Sequence, residues 1–120
     1  MKPAIYFEIP VTDLARAKQF YTAVFGYDFT EETIHGNRMA FFPLQESSRG
    51  ITGALAQGEI YRPTTQGVLL YLGVSNLAAT LARAEQAGAK VLFPATDSGY
   101  GLVAEIQDSE GNRIGLSQPQ

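Results

Sequence analysis

An internal repeat constrains the fold of this chain more than any other feature. The segment Phe7–Ala15 (FEIPVTDLA) matches Leu70–Ala78 (LYLGVSNLA) at an offset of 63 residues, from position 7 to position 70. In each copy an apolar strand leads into a Thr-Asp or Ser-Asn pair, whose side chains accept hydrogen bonds from the free amides of a helix start. Both helices end before a glycine, Gly26 or Gly88, that can take the left-handed conformation. We therefore interpret the chain as a duplicated βαβββ unit.

The repeat divides the chain into two modules within one domain of residues 1–120. These are module 1–57, the connection 58–67 and module 68–120. Apolar residues at helical spacing predict helices over Leu14–Phe25 and Leu77–Ala87. Outside the two leading strands, strand-forming runs lie at 27–34, 38–43, 51–57, 89–93, 101–107 and 112–117. Residues 94–100 are predicted to be a loop, and the fold class is α+β.

The composition excludes several classes of function. The chain has no cysteine and one histidine, so thiolate catalysis is impossible and a metal site rich in nitrogen or sulfur is nearly excluded. A net charge of −3 argues against nucleic acid or an anionic membrane as a partner, because either requires a basic face. The sequence shows no secretory signal and no apolar run of membrane-spanning length. We expect a cytoplasmic protein.

Alternation along the strands predicts which residues point away from the helices. In the first strand the helix covers the aliphatic side, which leaves Tyr6 and Glu8 on the opposite side. In the strand that opens the second module, Leu69 and Tyr71 take the equivalent positions, and Arg113 does so in the last strand. We predict that these five residues contact a ligand.

Glu8 is the one carboxylate predicted to face the interior of the protein from the middle of a strand. As a functional group it would be a general base with a pKa raised by burial, or an anchor for a cationic ligand. As a structural group it would pair with Arg113, Arg38 or a tyrosine hydroxyl, because an unpaired buried charge is too costly. Tyr6 and Tyr71 likewise either contact a ligand or fill the core. The sequence leaves both alternatives open.

Two segments resemble a known superfamily. The FEIPVTDLARA segment that begins at Phe7 and the DSEGNRIGL segment that begins at Asp108 resemble the opening and the closing hairpin of vicinal-oxygen-chelate proteins. That superfamily includes glyoxalase I, bleomycin-resistance proteins and extradiol dioxygenases. Nearly the whole chain is similar to it, most of all to proteins related to lactoylglutathione lyase, although Ser109 replaces a common proline. The resemblance implies paired βαβββ modules that form an incomplete eight-stranded barrel around a cavity, often in a homodimer.

The resemblance also implies where a metal would bind. Metal-binding members hold one ligand, usually His or Glu, on each of four strands, and the corresponding positions here are Tyr6, Leu69, Gly115 and a residue within 51–57. None of these is His, Asp or Glu, and the segment 51–57 contains none. A divalent cation needs at least three good protein donors. We therefore predict that no metal or other cofactor is bound.

Two functions are compatible with this sequence. The first is a glyoxalase/bleomycin-resistance-like protein that binds a small organic molecule in a metal-free cavity, through Tyr6 and Tyr71 and with Glu8 as the polar anchor. The second is a glyoxalase-like lyase or isomerase, related to lactoylglutathione lyase, in which Glu8 is the catalytic general base. Proton abstraction next to a carbonyl produces an oxyanion that needs strong donors, and without a metal these are few. This consideration favours binding.

Overall fold

The computed structural model describes residues 1–44 and 49–120 and confirms the α+β class with a duplicated unit. The first module contains β1 (Phe7–Val11), α1 (Leu14–Phe25), β2 (Thr30–Ile34), β3 (Asn37–Phe41) and β4 (Gly53–Gln57). The second contains β5 (Leu70–Gly73), α2 (Leu77–Gln86), β6 (Lys90–Asp97), β7 (Gly101–Gln107) and β8 (Arg113–Pro119). Each module forms its own four-stranded sheet, in the order β1-β4-β3-β2 or β5-β8-β7-β6. Its first and last strands run parallel, and its other pairs are antiparallel.

The helices begin and end where the repeat predicts. The side chains of Asp13 and Asn76 each accept a hydrogen bond of 3.0 Å from the amide three residues further on. Gly26 ends α1 with a φ of 78°, and Gly88 follows α2 with a φ of 90°. Both values lie in the left-handed region, where a side chain would be strained. The same local chemistry therefore sets the helix bounds in both modules.

A second cap, which the sequence analysis did not identify, also repeats in both modules. Gln57 Oε1 accepts a hydrogen bond from the Leu14 amide, and Gln118 Oε1 accepts one from the Leu77 amide, both at 2.7 Å. The partners are 43 and 41 residues apart in sequence, so only the folded sheet brings them together. In the first module the bond connects the start of α1 to β4, which runs parallel to β1. In the second it connects the start of α2 to β8, which runs parallel to β5.

β6 differs from its prediction, because it continues to Asp97 through residues that we expected to form a loop. Its pairing with β7 shifts register between Val91 and Phe93 and again between Phe93 and Thr96. The second shift contains Pro94, which has no amide hydrogen to donate. Proline is tolerated at bulges and on edge strands, and β6 is an edge strand. The predicted loop over 94–97 is therefore wrong.

One hydrophobic core joins the two modules. It contains the apolar sides of both helices and of strands from both sheets, including Ile9, Val11, Leu55, Leu72, Ile106, Ile114 and Leu116. Because both sheets turn their apolar faces towards this core, their opposite faces point away from it. The expected barrel is therefore observed as two separate sheets with outward faces. Within the described ranges, neither helix has the length or apolar character needed to span a bilayer.

The turn between β7 and β8 attaches the second module to the first. The Glu110 side chain has no solvent-accessible surface, accepts hydrogen bonds from two amides before α1 and pairs with Arg16 at 2.7 Å. Burial alone would raise the pKa of Glu110, but the bonds from Arg16 and the Asp13 amide outweigh it and lower this pKa to about 2. Asp108 in the same turn accepts a bond of 2.7 Å from the buried Tyr21 hydroxyl.

Candidate functional site

The outward face of the first sheet, which we call face A, contains two of the predicted site residues. By strand register it includes Glu8, Glu32, Met39, Phe41, Ala54 and Ala56, and Tyr6, just before β1, continues the alternation. As alternation predicted, Glu8 lies on the side of β1 opposite the core residues Ile9 and Val11. Glu32 was not expected here, because the faces of β2 were not assigned from sequence. Face A therefore carries two carboxylates rather than one.

Tyr61, from the connection between the modules, covers the middle of face A. It packs against a buried cluster of Met39, Ala54 and Ala56. Its hydroxyl donates a hydrogen bond of 2.7 Å to Glu8 Oε1, across 53 residues of sequence. Sequence reasoning missed this residue because a connection shows no periodicity. The available signal was one aromatic side chain in an otherwise largely polar segment.

Glu8 accepts hydrogen bonds from two phenols. Tyr6 donates to Oε2 at 3.0 Å, and Tyr61 donates to Oε1. Partial burial and the bond to Glu8 raise the pKa of Tyr6 to about 12, and the bond to Glu8 and partial burial also raise the pKa of Tyr61. Both hydroxyls therefore stay protonated as donors near neutral pH. The expected burial of Glu8 in an apolar cavity is wrong, since the residue is exposed.

The two arginines considered as partners of Glu8 pair with other carboxylates. Arg38 lies 3.3 Å from Glu31, and Arg113 lies 2.6 Å from Glu105. Of the structural partners considered, a tyrosine hydroxyl is the one observed.

The outward face of the second sheet, which we call face B, contains two further predicted residues. By register it includes Tyr71, Gly73, Lys90, Phe93, Val103, Glu105, Gln107, Arg113, Gly115 and Ser117. The Tyr71 ring lies over Gly115, where an added Cβ would come within 2.6 Å of the ring. Tyr71 is nevertheless 47% exposed, so its other side is open. Leu69 lies just before β5 and is half-buried.

The five predicted site residues are divided between two surfaces. Tyr6 and Glu8 are in contact on face A, and Tyr71 and Arg113 lie on face B. Tyr6 is 46% exposed, similar to Tyr71, and no hydrogen bond joins the two groups across residues 1–44 and 49–120. Face A and face B therefore do not close over one another within a single chain.

A crevice of about 930 Å³ lies between β1 and β5, whose facing edges are unpaired. Small-molecule sites have volumes of roughly 300–1,000 Å³ and are mostly apolar. Among the described residues the lining combines aromatic and aliphatic side chains with polar groups and one arginine, and it includes Phe7, Tyr27, Phe42, Arg49, Leu70 and Tyr71. Tyr71 is thus a predicted site residue that also borders a cavity of suitable size.

The residues at the four metal positions do not fit a metal ion. The Tyr6 hydroxyl donates to Glu8 and has a raised pKa, which disfavours the phenolate that a metal would bind. Leu69 and the outward residues of β4, Ala54 and Ala56, have no donor side chain, and Gly115 is covered by the Tyr71 ring. In the described part of the chain, no three residues among His, Cys, Asp and Glu form a group able to hold a metal ion.

Comparison with known proteins gives one family. The model of the Glyoxalase/Bleomycin resistance protein/Dioxygenase superfamily matches residues 5–116. No curated protein matches the chain. A solved glyoxalase/bleomycin resistance protein from Streptomyces sp. CB03234 is 26% identical, with a TM-score of 0.74 and coverage of 95% of this chain and 98% of that one.

Two further solved structures share the fold. TnmS3, described as an antibiotic binding protein from Streptomyces sp. CB03234, is 24% identical with a TM-score of 0.76, over 100% of this chain and 98% of its own. A glyoxalase I mutant from Zea mays is 16% identical with a TM-score of 0.70. The match covers 96% of this chain but 45% of the maize chain, so this chain spans about half of that length.

Proposed function

The chain belongs to the Glyoxalase/Bleomycin resistance protein/Dioxygenase superfamily, and from this premise we propose that it binds a small organic molecule without a metal. The observation that carries the proposal is the chemistry of its outward faces. Where metal-binding members have ligands, this chain has a phenol, aliphatic groups and bare backbone. Such surfaces favour aromatic and apolar contacts, with a few polar groups to fix orientation.

Tyr71 is the residue on which the proposed contact depends most. Its ring is held from one side by Gly115, so the exposed side is a preformed surface for stacking against a planar ligand. Arg113 and Glu105 form an ion pair on the same face and provide polar contacts beside the ring. TnmS3 is described as an antibiotic binding protein, which agrees with this role. At 24% identity that likeness concerns the fold and not the ligand.

A screen of small aromatic compounds by saturation-transfer NMR tests the proposal. We expect hits with wild-type protein that Tyr71→Ala weakens at least tenfold. Tyr100→Ala is the matched control, because Tyr100 is an 85% exposed tyrosine outside both faces. Hits that respond equally to both substitutions, or no hits, would reject the proposed function.

We further propose that the binding unit is a homodimer. Face A and face B both point away from the shared core and leave aromatic side chains exposed. A second copy could place its face B over face A of the first and so enclose a ligand between Tyr6, Glu8, Tyr71 and Arg113. Light scattering at micromolar concentration should give about twice the chain mass of 13.0 kDa. A particle of 13.0 kDa would reject this arrangement.

A lyase or isomerase with Glu8 as general base is the alternative, and binding accounts better for the geometry. Both phenol hydroxyls donate to Glu8 itself, which leaves neither hydroxyl free to stabilise an oxyanion. The alternative predicts turnover of a hemithioacetal that Glu8→Gln abolishes while ligand affinity survives. Binding predicts no turnover, with affinity weakened in Tyr6→Ala or Tyr71→Ala.

A further inference from the structure

The Glu8 carboxylate gives face A a negative charge that no ion pair within the described residues neutralises. Glu8 is exposed on β1, at one edge of this face, and Glu32 is exposed on β2, at the opposite edge. Strand alternation places no lysine or arginine on this side of the four strands. Across residues 1–44 and 49–120, the ion pairs join Arg16 to Glu110, Lys18 and Arg38 to Glu31, and Arg113 to Glu105. Glu8 therefore takes part in no ion pair within the described residues.

The surroundings of Glu8 are aromatic and apolar. Tyr6 and Tyr61 hold its two carboxylate oxygens through one hydroxyl bond each. A carboxylate has about four acceptor sites, so each oxygen can accept a further bond. The floor beside it is the buried cluster of Met39 and the two alanines of β4. Two neutral hydroxyls orient the carboxylate without neutralising its charge.

Resting on the proposed function, we propose that face A binds the cationic part of the ligand, a protonated amine or other organic cation on an apolar body. Glu8 is the counter-ion through a charge-assisted hydrogen bond. The phenol rings of Tyr6 and Tyr61 provide cation–π contact beside it. The apolar body of the ligand lies against the Met39 cluster. The complementarity is one of charge, because the surroundings of Glu8 supply a carboxylate and aromatic rings, and the strands of face A carry no lysine or arginine on this side.

Benzylamine and benzyl alcohol are matched probes for this proposal, because they share shape and differ in charge at neutral pH. We expect benzylamine to shift the backbone amide NMR signals of face A residues, including Glu8, Met39 and Ala54, with at least tenfold higher affinity than benzyl alcohol. Glu8→Gln should weaken benzylamine binding about tenfold. Glu85→Gln should leave it unchanged, because Glu85 is an exposed glutamate on α2.

Tyr6→Leu keeps the test decisive if Glu8→Gln fails to fold, because it removes one ring and one hydroxyl beside the carboxylate, and it should weaken benzylamine binding about threefold. Equal affinity for both probes would overturn the cation site while leaving the proposed binding of organic molecules intact. Absence of shifts on face A with either probe would also overturn it.

Discussion

Glu110 in the β7–β8 turn forms an ion pair of 2.7 Å with Arg16 in α1, across 94 residues of sequence. The same carboxylate accepts the amides of Thr12 and Asp13 at the start of that helix. A negative charge at a helix N-terminus is favourable, because the free amides and the helix dipole both point positive charge towards it. The contact therefore joins the two modules and also stabilises the start of α1.

Replacing Glu110 by glutamine should destabilise the whole domain. Glutamine keeps one oxygen to accept an amide bond but loses the charge that binds Arg16, and hydrogen bonds to charged groups contribute about 1.5–3 kcal/mol. We expect the free energy of unfolding to fall by about 2 kcal/mol in urea denaturation. Glu85→Gln is the control, because this exposed glutamate has no such role. An equal effect of the two substitutions would contradict the proposed attachment.

The same carboxylate predicts how stability depends on pH. The pKa of Glu110 is about 2 in the fold, below its ordinary value of 4.5. Between these values the unfolded chain binds more protons than the folded chain, so stability rises with pH. The contribution of Glu110 is thus complete above about pH 4.5 and is lost as the pH falls towards about 2. Urea midpoints measured from pH 6 to pH 3 should fall more steeply in wild type than in Glu110→Gln.

Urea midpoints that fall with the same slope in wild type and in Glu110→Gln would contradict this assignment. The control is Glu32→Gln, which removes an exposed carboxylate and should keep the wild-type slope.

The parts of the fold that the sequence predicted well depend on local chemistry. Asp13 and Asn76 cap helices three residues away, and Gly26 and Gly88 end them, so the repeated signals gave the helix bounds and the topology. Alternation placed Glu8 on the correct side of β1 for the same reason. In each case the cause and its effect lie within a few residues of sequence.

The parts that the sequence missed depend on contacts between distant residues. Tyr61 reaches Glu8 across 53 residues, and Gln57 reaches Leu14 across 43. No local pattern predicts such a partner, because the two residues of each pair come together only after the sheet has formed. The division of the predicted site into face A and face B has the same origin. It follows from how the modules share one core, which the alternation of single strands does not determine.

Gly115→Ala should displace the Tyr71 ring from its position on face B. An added Cβ would lie 2.6 Å from the ring, which is closer than van der Waals contact allows, and the exposed ring can move. We expect a loss of about 1 kcal/mol in stability. Any aromatic ligand that contacts Tyr71 should bind several-fold more weakly.

Gly73→Ala is the matched control for this substitution. Gly73 lies on the same face, and an added Cβ there would meet nothing within 4 Å. Tyrosine side-chain NMR signals should therefore shift in Gly115→Ala and not in Gly73→Ala. Unchanged Tyr71 signals in Gly115→Ala would show that the ring does not depend on that glycine.

Two substitutions at Tyr61 should separate its two contributions to face A. Tyr61→Phe removes the hydroxyl bond to Glu8 and keeps the ring on the buried cluster, so we expect a loss of about 1 kcal/mol in stability. Tyr61→Ala also uncovers Met39, Ala54 and Ala56, and should cost about 1–2 kcal/mol more and increase the binding of a hydrophobic dye. Urea denaturation measures the stability of both variants, and dye fluorescence measures how far the cluster is uncovered. Tyr100→Ala, at an exposed tyrosine away from face A, should change neither stability nor dye binding. Equal stability of Tyr61→Phe and Tyr61→Ala would mean that the connection does not cover the sheet in solution.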